Sequence, residues 1–272
     1  MIRYISWAVG AAFVFVLGLA LFSSVSGLIT DPVAATATDV FHKHPKELEL
    51  ASSGFFGTYD QRQLQRGLQV YKEVCSNCHS LKHVAFRDLT QLGYSAGQVK
   101  KFAADWGTKA QVFDPKTGDK TERPNTPADP FPTVYYPGLG NPPDLSLITK
   151  ARHEGTPYVY SLLTGYAPQP AELLKKFPDA KTPDGLYYNP YFANLNIAMP
   201  PPLTQDGQVT YLDGTKSTVD QNAKDVAAFL TWAAEPNLPA RHGAGIAVLL
   251  FLLVFCALAY GAYQNIWRDI KH

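Results

Sequence analysis

The sequence predicts a mainly α-helical domain with long proline-rich loop insertions, flanked by two apolar segments. Three observations predict this architecture. An uncharged apolar run lies near each end of the 272-residue chain, apolar residues recur at helical spacing between the runs, and closely spaced prolines interrupt the remainder. On this basis we divide the chain into residues 1–30, a central domain over residues 31–240, and a C-terminal segment over residues 241–272.

The N-terminal apolar run follows Arg3 and extends from residue 4 to residue 29 without a charged side chain. It is longer than the roughly 7–15 residues of a signal-peptide core, yet the sequence ATA at residues 35–37 resembles a cleavage site. Two fates are therefore open for this segment: a retained membrane anchor, which we favour, or a signal peptide that is removed.

Two amphipathic helices are predicted within the central domain. Asp60 can cap the first, whose apolar residues 64, 68, 71 and 75 recur at offsets of four, three and four and so share one face. Thr218 and Gln221 match a capping box for the second, which Pro236 ends.

The connections between these helices are rich in proline. Prolines occur at positions 115, 124, 127, 130, 132 and 137, which is too often for a helix or a central strand, so we expect a long loop. A second such stretch covers residues 167–190. Asp213-Gly214 predicts a small hairpin between residues 209–212 and 215–217.

The C-terminal apolar run, residues 243–263, predicts a transmembrane helix. It contains no charge and has the length of about 20 residues that spans a bilayer core of roughly 30 Å. Trp267 suits a membrane interface, and Arg268 and Lys271 after the run favour a cytoplasmic C-terminus. The central domain is then expected outside the cell membrane, in the bacterial periplasm.

Charge and cysteine usage exclude two classes of protein. The chain carries 24 basic and 23 acidic side chains, a net charge of +1, so no general basic surface exists to bind nucleic acid. It has 3 cysteines, of which Cys256 lies in the C-terminal apolar run. A disulfide scaffold is therefore excluded.

The other two cysteines form the strongest motif in the chain. Cys75, Cys78 and His79 make a C-x-x-C-H sequence, the signal for covalent attachment of one haem c. Two thiols about one helical turn apart can each bond one vinyl group of the same porphyrin, and the following imidazole can then bind the iron. A zinc site would need further Cys or His ligands, and a thioredoxin-like dithiol is the other alternative. Neither has support elsewhere in the sequence.

A haem iron that only transfers electrons needs a second axial ligand, usually Met or His. Met199 is the only methionine besides the initiator, and three prolines follow it directly. Those prolines favour an extended, stiff segment that could carry the thioether to the iron. Met199 is the predicted second ligand, and His153 or an open iron position are the alternatives.

Six stretches of the central domain, together with the C-terminal apolar run, resemble the cytochrome c1 family, whose members are haem subunits of cytochrome bc1 complexes with a class I cytochrome c-like fold. The stretches are VCSNCHSL at 74–81, NPPDLS at 141–146, ARH at 151–153, YVYSLLTGY at 158–166, YYNPYF at 187–192, and AKDV to WAAEP at 223–236. Two departures are modest: an extra cysteine pair that some members carry is missing, and the N-terminal apolar run is long.

The resemblance implies roles for individual residues. It assigns Cys75 and Cys78 to thioether bonds and both His79 and Met199 to the iron. It also implies three further residues: Arg152 would pair with a haem propionate, a role that its charge suits, while Pro143 and Tyr158 would line the haem pocket.

The resemblance also implies a function. The protein would accept an electron from a Rieske iron–sulfur protein and pass it to a c-type cytochrome, without catalytic chemistry of its own. Its other partners would be cytochrome b and membrane lipid, within a dimeric ubiquinol:cytochrome c oxidoreductase. A c-type cytochrome that serves another oxidoreductase, and a haem peroxidase or sensor with an open iron position, are the alternatives.

Overall fold

The computed structural model describes residues 2–30, 34–138 and 140–269, and it confirms that the protein is mainly helical. The α-helices are α1 (Ile2–Thr30), α2 (Ala37–Phe41), α3 (Gln61–Val70), α4 (Ala96–Ala104), α5 (Gly155–Leu163), α6 (Ala171–Lys176), α7 (Val219–Ala234) and α8 (Leu238–Trp267). Shorter helical pieces are a π-helical turn (Tyr71–Cys75) and two 3₁₀ helices (Phe86–Leu92 and Pro178–Ala180). The strands are β1 (Ala110–Phe113), β2 (Lys120–Arg123), β3 (Tyr187–Tyr188) and β4 (Asn196–Ile197).

The chain forms two compact units. The smaller comprises Met1–Phe41 with Pro170–Lys181, and the larger comprises His42–Gln169 with Thr182–His272. In the smaller unit α2 packs on α6, and the Phe41 and Phe177 rings meet edge to face with centroids 6.3 Å apart. All of the predicted site residues belong to the larger unit.

Helix α3 begins where the sequence predicted. The Asp60 carboxylate accepts hydrogen bonds from the backbone N–H groups of Arg62 and Gln63, which otherwise would lack partners at the helix start. Leu64 and Leu68 are buried on the apolar face. The prediction of this helix from its cap and its periodicity is therefore confirmed.

Helix α7 also begins at its predicted residue, but the capping box is wrong. The Thr218 hydroxyl accepts a hydrogen bond from the Gln221 N–H at 3.0 Å. The Gln221 side chain does not return to Thr218, because its amide donates to Asp225 at 2.8 Å instead. An i,i+4 contact within α7, to the same Asp225 that binds Arg66, thus takes the side chain that the local pattern assigned to the cap.

Helices α3 and α7 cross at Gly67. A Cβ atom at this position would lie 2.1 Å from the Asp225 carbonyl oxygen and 2.6 Å from the Phe229 Cβ, so only glycine allows this approach. At the same crossing Arg66 pairs with the fully buried Asp225, with Nε to Oδ2 at 2.8 Å. Close backbone contact and a buried ion pair therefore set the position of α3 on α7.

An aromatic cluster extends this core beneath the end of α3. Tyr71 packs on Phe229 with ring centroids 5.8 Å apart, and on Phe131 at 6.0 Å. Phe131 in turn packs on Phe86 at 4.4 Å and on Trp106 at 5.0 Å. Because Tyr71 belongs to the π-helical turn that leads to Cys75, the cluster supports the cysteine motif directly.

Two local predictions about the connections need correction. Within residues 105–137, β1 and β2 form an antiparallel hairpin, which the proline spacing did not predict because Pro115 and Pro124 lie just outside the strands. Residues 209–217 contain a turn at Leu212-Asp213 but no strands, so the hairpin predicted there is wrong. The Asp213 carboxylate instead binds the Thr215 N–H and the Arg66 guanidinium.

Among the residues that the structure describes, two helices are long and apolar enough to cross a membrane. They comprise Arg3–Thr30, with a mean hydropathy of 2.3, and Leu238–Trp267, with 2.5. The most apolar window of each is fully unburied within the protein. This agrees with the two apolar segments predicted from sequence.

Candidate haem-binding site

The cysteine motif lies in a tight turn at the end of α3. The Ser76 N–H donates to the Tyr71 carbonyl at 2.8 Å, which closes the π-helical turn, and the N–H groups of Cys78 and His79 both donate to the Cys75 carbonyl, at 3.1 and 2.9 Å. The chain therefore folds back on Cys75 within one turn. This places both thiols and the imidazole within the same short turn, as attachment to one porphyrin requires. Burial of the thiol, and to a lesser extent the neighbouring Cys78 thiol, raises the pKa of Cys75 to about 12.

His79 is oriented by a residue far along the chain. Its Nδ1 lies 2.8 Å from the carbonyl oxygen of Pro143, which can only accept, so Nδ1 carries the proton. Burial lowers the pKa of the imidazole, and the hydrogen bond to Pro143 opposes this only partly. The ring is neutral at pH 7, and its Nε2 has the free lone pair that a metal ligand needs.

The segment that carries Pro143 is fastened to the cysteine motif. Its Leu145 N–H donates to the Ser80 carbonyl at 2.9 Å, and the Lys82 N–H donates to the Asp144 carboxylate at 3.0 Å. Burial acts to raise the pKa of Asp144, but the hydrogen bonds from Lys82 and Ser146 outweigh it and hold the pKa below its usual range. Asp144 is therefore charged at neutral pH and holds the Pro143 carbonyl in register with His79.

The backbone of His79 is also fixed, by a hydrogen bond from Tyr71. The Tyr71 hydroxyl donates to the His79 carbonyl at 3.0 Å, and the Tyr71 ring is buried in the aromatic cluster. Tyr71 and Asp144 were not predicted as site residues, although Asp144 lies in the NPPDLS stretch and Tyr71 on the predicted helix face.

Met199 lies two residues after the end of β4 and is half-buried. The Tyr166 hydroxyl donates to the Met199 carbonyl at 3.0 Å. The preceding residue, Ala198, comes close to Gly140, where an added Cβ would lie 3.5 Å from the Ala198 Cβ. The Met199 segment therefore contacts the segment that carries Pro143, which brings the predicted ligands His79 and Met199 onto neighbouring parts of the chain.

Arg152 and Tyr158 lie together at the start of α5. Burial raises the pKa of the Tyr158 hydroxyl, and the nearby Arg152 guanidinium lowers it in part. Tyr158 in turn adjoins Tyr166, whose pKa is raised by burial and by this neighbour. Arg152 itself is exposed, as is His153 on the same turn. Sequence reasoning missed Tyr166, although it ends the YVYSLLTGY stretch.

The structure thus brings the predicted residues into two adjoining groups. One comprises Cys75, Cys78, His79 and Pro143; the other joins Arg152 and Tyr158 to Met199 through Tyr166. In the part of the chain that the structure describes, no three His, Cys, Asp or Glu side chains converge as they would in a zinc site. Paired thiols, a neutral imidazole with a free Nε2 and a thioether are the donor set that fits a haem c.

A mainly helical domain with this donor set defines the class of membrane-anchored c-type cytochromes. The sequence matches the Cytochrome C1 family over residues 50–270, and the chain belongs to that family. It therefore binds haem c covalently and acts as an electron-transfer subunit of a cytochrome bc1 complex, without catalytic chemistry of its own.

Individual relatives agree with this assignment. The chain is 47% identical over 236 residues to cytochrome c1 of Rhodospirillum rubrum, covering 80% of this chain and 86% of that protein. It is 43% identical over 240 residues to cytochrome b/c1 of Bradyrhizobium diazoefficiens, covering 80% of this chain and 34% of that longer protein. It is 38% identical over 263 residues to the mitochondrial heme protein cytochrome c1-2 of Solanum tuberosum, covering 92% and 95%.

Proposed function

We propose that this protein takes one electron from a Rieske iron–sulfur protein and passes it to a c-type cytochrome, within a dimeric ubiquinol:cytochrome c oxidoreductase. The hydrogen bond between His79 Nδ1 and the Pro143 carbonyl is the observation that carries the proposal. It leaves a neutral imidazole with one free nitrogen four residues from Cys75, which suits a permanently held metal ligand rather than a group that gives and takes protons.

Cys75 and Cys78 are the proposed thioether positions. The turn that returns Cys78 and His79 to the Cys75 carbonyl sets the spacing of the two sulfur atoms relative to the imidazole. When bound, the haem supplies a one-electron change between ferric and ferrous iron. The chain keeps the group in one orientation and excludes water from it by means of the core beneath α3.

Met199 is the proposed second ligand of the iron. A thioether donates less charge than an imidazole and so favours the reduced state, which raises the reduction potential. Tyr166 holds the Met199 backbone, and Pro200 and the two prolines after it limit the conformations of this segment. Arg152 is the proposed partner of a propionate, and Pro143 and Tyr158 are the proposed pocket residues.

Cytochrome b is the proposed neighbour in the membrane. One relative bears the name cytochrome b/c1 and is about three times as long as the part that this chain matches, which supports an association of the two proteins. We place residues 31–240 in the periplasm of a bacterial cell, because Arg268 and Lys271 follow the apolar stretch of α8 and favour a cytoplasmic end. Residues 1–30 are proposed to remain as a second anchor.

Replacement of the proposed second ligand tests the assignment. Met199→Leu should keep covalent haem, since Cys75, Cys78 and His79 are unchanged, but should lose the sulfur-to-iron absorption band in the near infrared. The reduction potential should fall, and each 59 mV changes a one-electron equilibrium about tenfold. Electron uptake from a high-potential donor should slow accordingly.

His153→Gln is the matched control, because His153 is the alternative ligand named by the sequence and is exposed in the structure. This variant should keep both the band and the potential. If Met199→Leu instead leaves both unchanged while His153→Gln alters them, Met199 is not the ligand. Acid–acetone extraction of either variant should leave the colour on the polypeptide, and release of the haem into the solvent would contradict covalent attachment.

A further inference from the structure

A closed loop over residues 51–58 projects two phenylalanines from the domain. The Thr58 N–H donates to the Ala51 carbonyl at 2.8 Å, and this bond joins the two ends of the loop. Gly54 has a φ of +79°, and a Cβ at Gly57 would lie 2.2 Å from the Ser52 carbonyl oxygen. The loop therefore has one tight, well-defined conformation.

The tip of this loop is apolar and uncovered. Phe55 is 57% exposed and Phe56 is 77% exposed, and their rings pack edge to face with centroids 5.1 Å apart. A single exposed apolar side chain is ordinary, but two large rings held together at the tip of an ordered loop indicate a contact surface.

The position of the tip identifies what it contacts. The Phe55 ring stacks on the His242 ring, with centroids 6.3 Å apart and planes 7° from parallel. His242 is the last polar residue before the apolar run of α8, so the tip lies where that helix enters the membrane. His242, Gly245 and Ile246 share one helix face and are partly covered, whereas the described residues that follow them in α8 are exposed.

The residues that join α7 to α8 hold the loop next to the start of α8. The Tyr59 hydroxyl donates to the Glu235 carbonyl at 2.7 Å. The Glu235 carboxylate pairs with Arg241 and with Lys150, each at 2.5 Å, and both basic side chains remain more than half exposed. Basic groups beside exposed aromatic rings suit the headgroup layer of a bilayer.

We propose that the Phe55–Phe56 tip is a second membrane contact, which inserts into the interfacial layer beside α8 and restrains the tilt of the haem domain. The partner is the lipid surface rather than a protein, because the tip continues the surface of a helix that already faces lipid. This inference rests on α8 spanning the membrane.

Spin labels in the full-length, haem-loaded chain in lipid nanodiscs test the proposal. The label is attached to a new cysteine in each of three variants, Phe56→Cys, Leu253→Cys within α8 and Leu212→Cys, and each variant also carries Cys256→Ser. Collision rates of each label with oxygen, which concentrates in lipid, and with a water-soluble nickel chelate report its depth. Leu212 is 98% exposed and remote from α8 in sequence, and serves as the aqueous control.

We expect the oxygen-to-nickel collision ratio at position 56 to lie between the two controls and several-fold above that at position 212. A ratio at 56 equal to that at 212, with 253 still in lipid, would overturn the tip contact but not the anchor. An aqueous signal at 253 would overturn the anchor itself, and with it the contact. If position 56 becomes shielded from both reagents in the assembled complex, a protein covers the tip and the lipid assignment is wrong.

A second measurement reads the consequence of the contact. Phe56→Ser should broaden the distribution of haem-plane angles in oriented membranes, as seen by linear dichroism, while Leu212→Ser should leave it unchanged. Unaltered haem absorption in both variants would establish that the domain is folded. An unchanged angular distribution in Phe56→Ser would contradict the proposed restraint.

Discussion

The two proposed iron ligands are held by different kinds of structure. His79 follows a helix that is locked against α7 by close backbone contact at Gly67 and by the buried Arg66–Asp225 pair. Its imidazole and its carbonyl both have partners, the Pro143 carbonyl and the Tyr71 hydroxyl. Met199 lies in irregular chain after a two-residue strand, and its backbone carbonyl accepts a hydrogen bond from the Tyr166 hydroxyl.

This difference indicates that the two sides of the proposed site have separate roles, one in folding and one in ligation of the iron. Several independent contacts would have to fail before the imidazole moved, whereas loss of one hydroxyl would loosen the segment that carries the thioether. We therefore propose that the helix side determines whether the domain folds around the haem, and that the Met199 side, as the proposed second ligand, determines the reduction potential. Substitutions on the helix side should therefore change mainly stability, and substitutions on the Met199 side should change mainly ligation of the iron.

The largest effect is expected at the buried ion pair. Asp225→Asn removes the charge that neutralises Arg66 at a fully buried position and should lower the free energy of unfolding by about 3–5 kcal/mol. Asp213→Asn is the matched control, because Asp213 binds the same guanidinium at a partly exposed site and should cost about 0–1 kcal/mol. Denaturant unfolding measures both. Equal losses would show that burial of the pair is not what stabilises the crossing.

The helix crossing itself is tested by two glycines. Gly67→Ala places a methyl group against the α7 backbone and should destabilise the domain by about 1–3 kcal/mol. Gly97→Ala, in α4 with open space around its Cβ position, should instead stabilise the domain by about 0.5–1 kcal/mol through helix propensity. Thermal unfolding of the two variants should therefore shift in opposite directions. A stable Gly67→Ala variant would mean that the two helices can separate without penalty.

Substitutions near Met199 should weaken the proposed bond between its sulfur and the iron more than they lower the free energy of unfolding. Tyr166→Phe removes one hydrogen bond and should cost only about 0.5–1.5 kcal/mol of unfolding free energy. We expect its near-infrared sulfur-to-iron band to disappear at a lower denaturant concentration than in the parent protein, well before global unfolding. Tyr187→Phe, on the neighbouring strand β3, is the control and should not move that transition. If the band and the helicity of Tyr166→Phe are lost at the same denaturant concentration, ligation and folding are not separately controlled.

The smallest effect is the pH dependence of the free energy of unfolding that Asp213, the partly exposed partner of Arg66, contributes. Hydrogen bonds from the Thr215 N–H and from Arg66 lower the pKa of Asp213 from its usual 3.8 to about 2. Because the folded pKa is depressed, Asp213 stabilises the protein above about pH 4, and this contribution is lost as the pH falls toward 2. The difference in unfolding free energy between the parent and Asp213→Asn should shrink over that range. A difference that persists at pH 2 would assign the effect to packing instead of charge.

Much of the site could be predicted because its signals are local. Each signal can be read from one continuous stretch of sequence: the C-x-x-C-H motif, the methionine that three prolines follow, the caps at Asp60 and Thr218, and the apolar run of residues 243–263. Helix α4 could have been found in the same way, since Ser95 and Gln98 form a reciprocal capping box. The role of Met199 as the second iron ligand stays a prediction, as do the assignments of Arg152, Pro143 and Tyr158, which came from family resemblance.

Only the tertiary structure decided how those local pieces are oriented. The Pro143 carbonyl that sets the His79 proton lies 64 residues away, and Asp225 lies 159 residues from Arg66. A distant partner also displaced a local prediction: Arg66 binds Asp213, 147 residues away, where a hairpin was expected. The physical reason is that a buried charge must find a partner wherever the fold provides one, and sequence spacing carries no information about that distance.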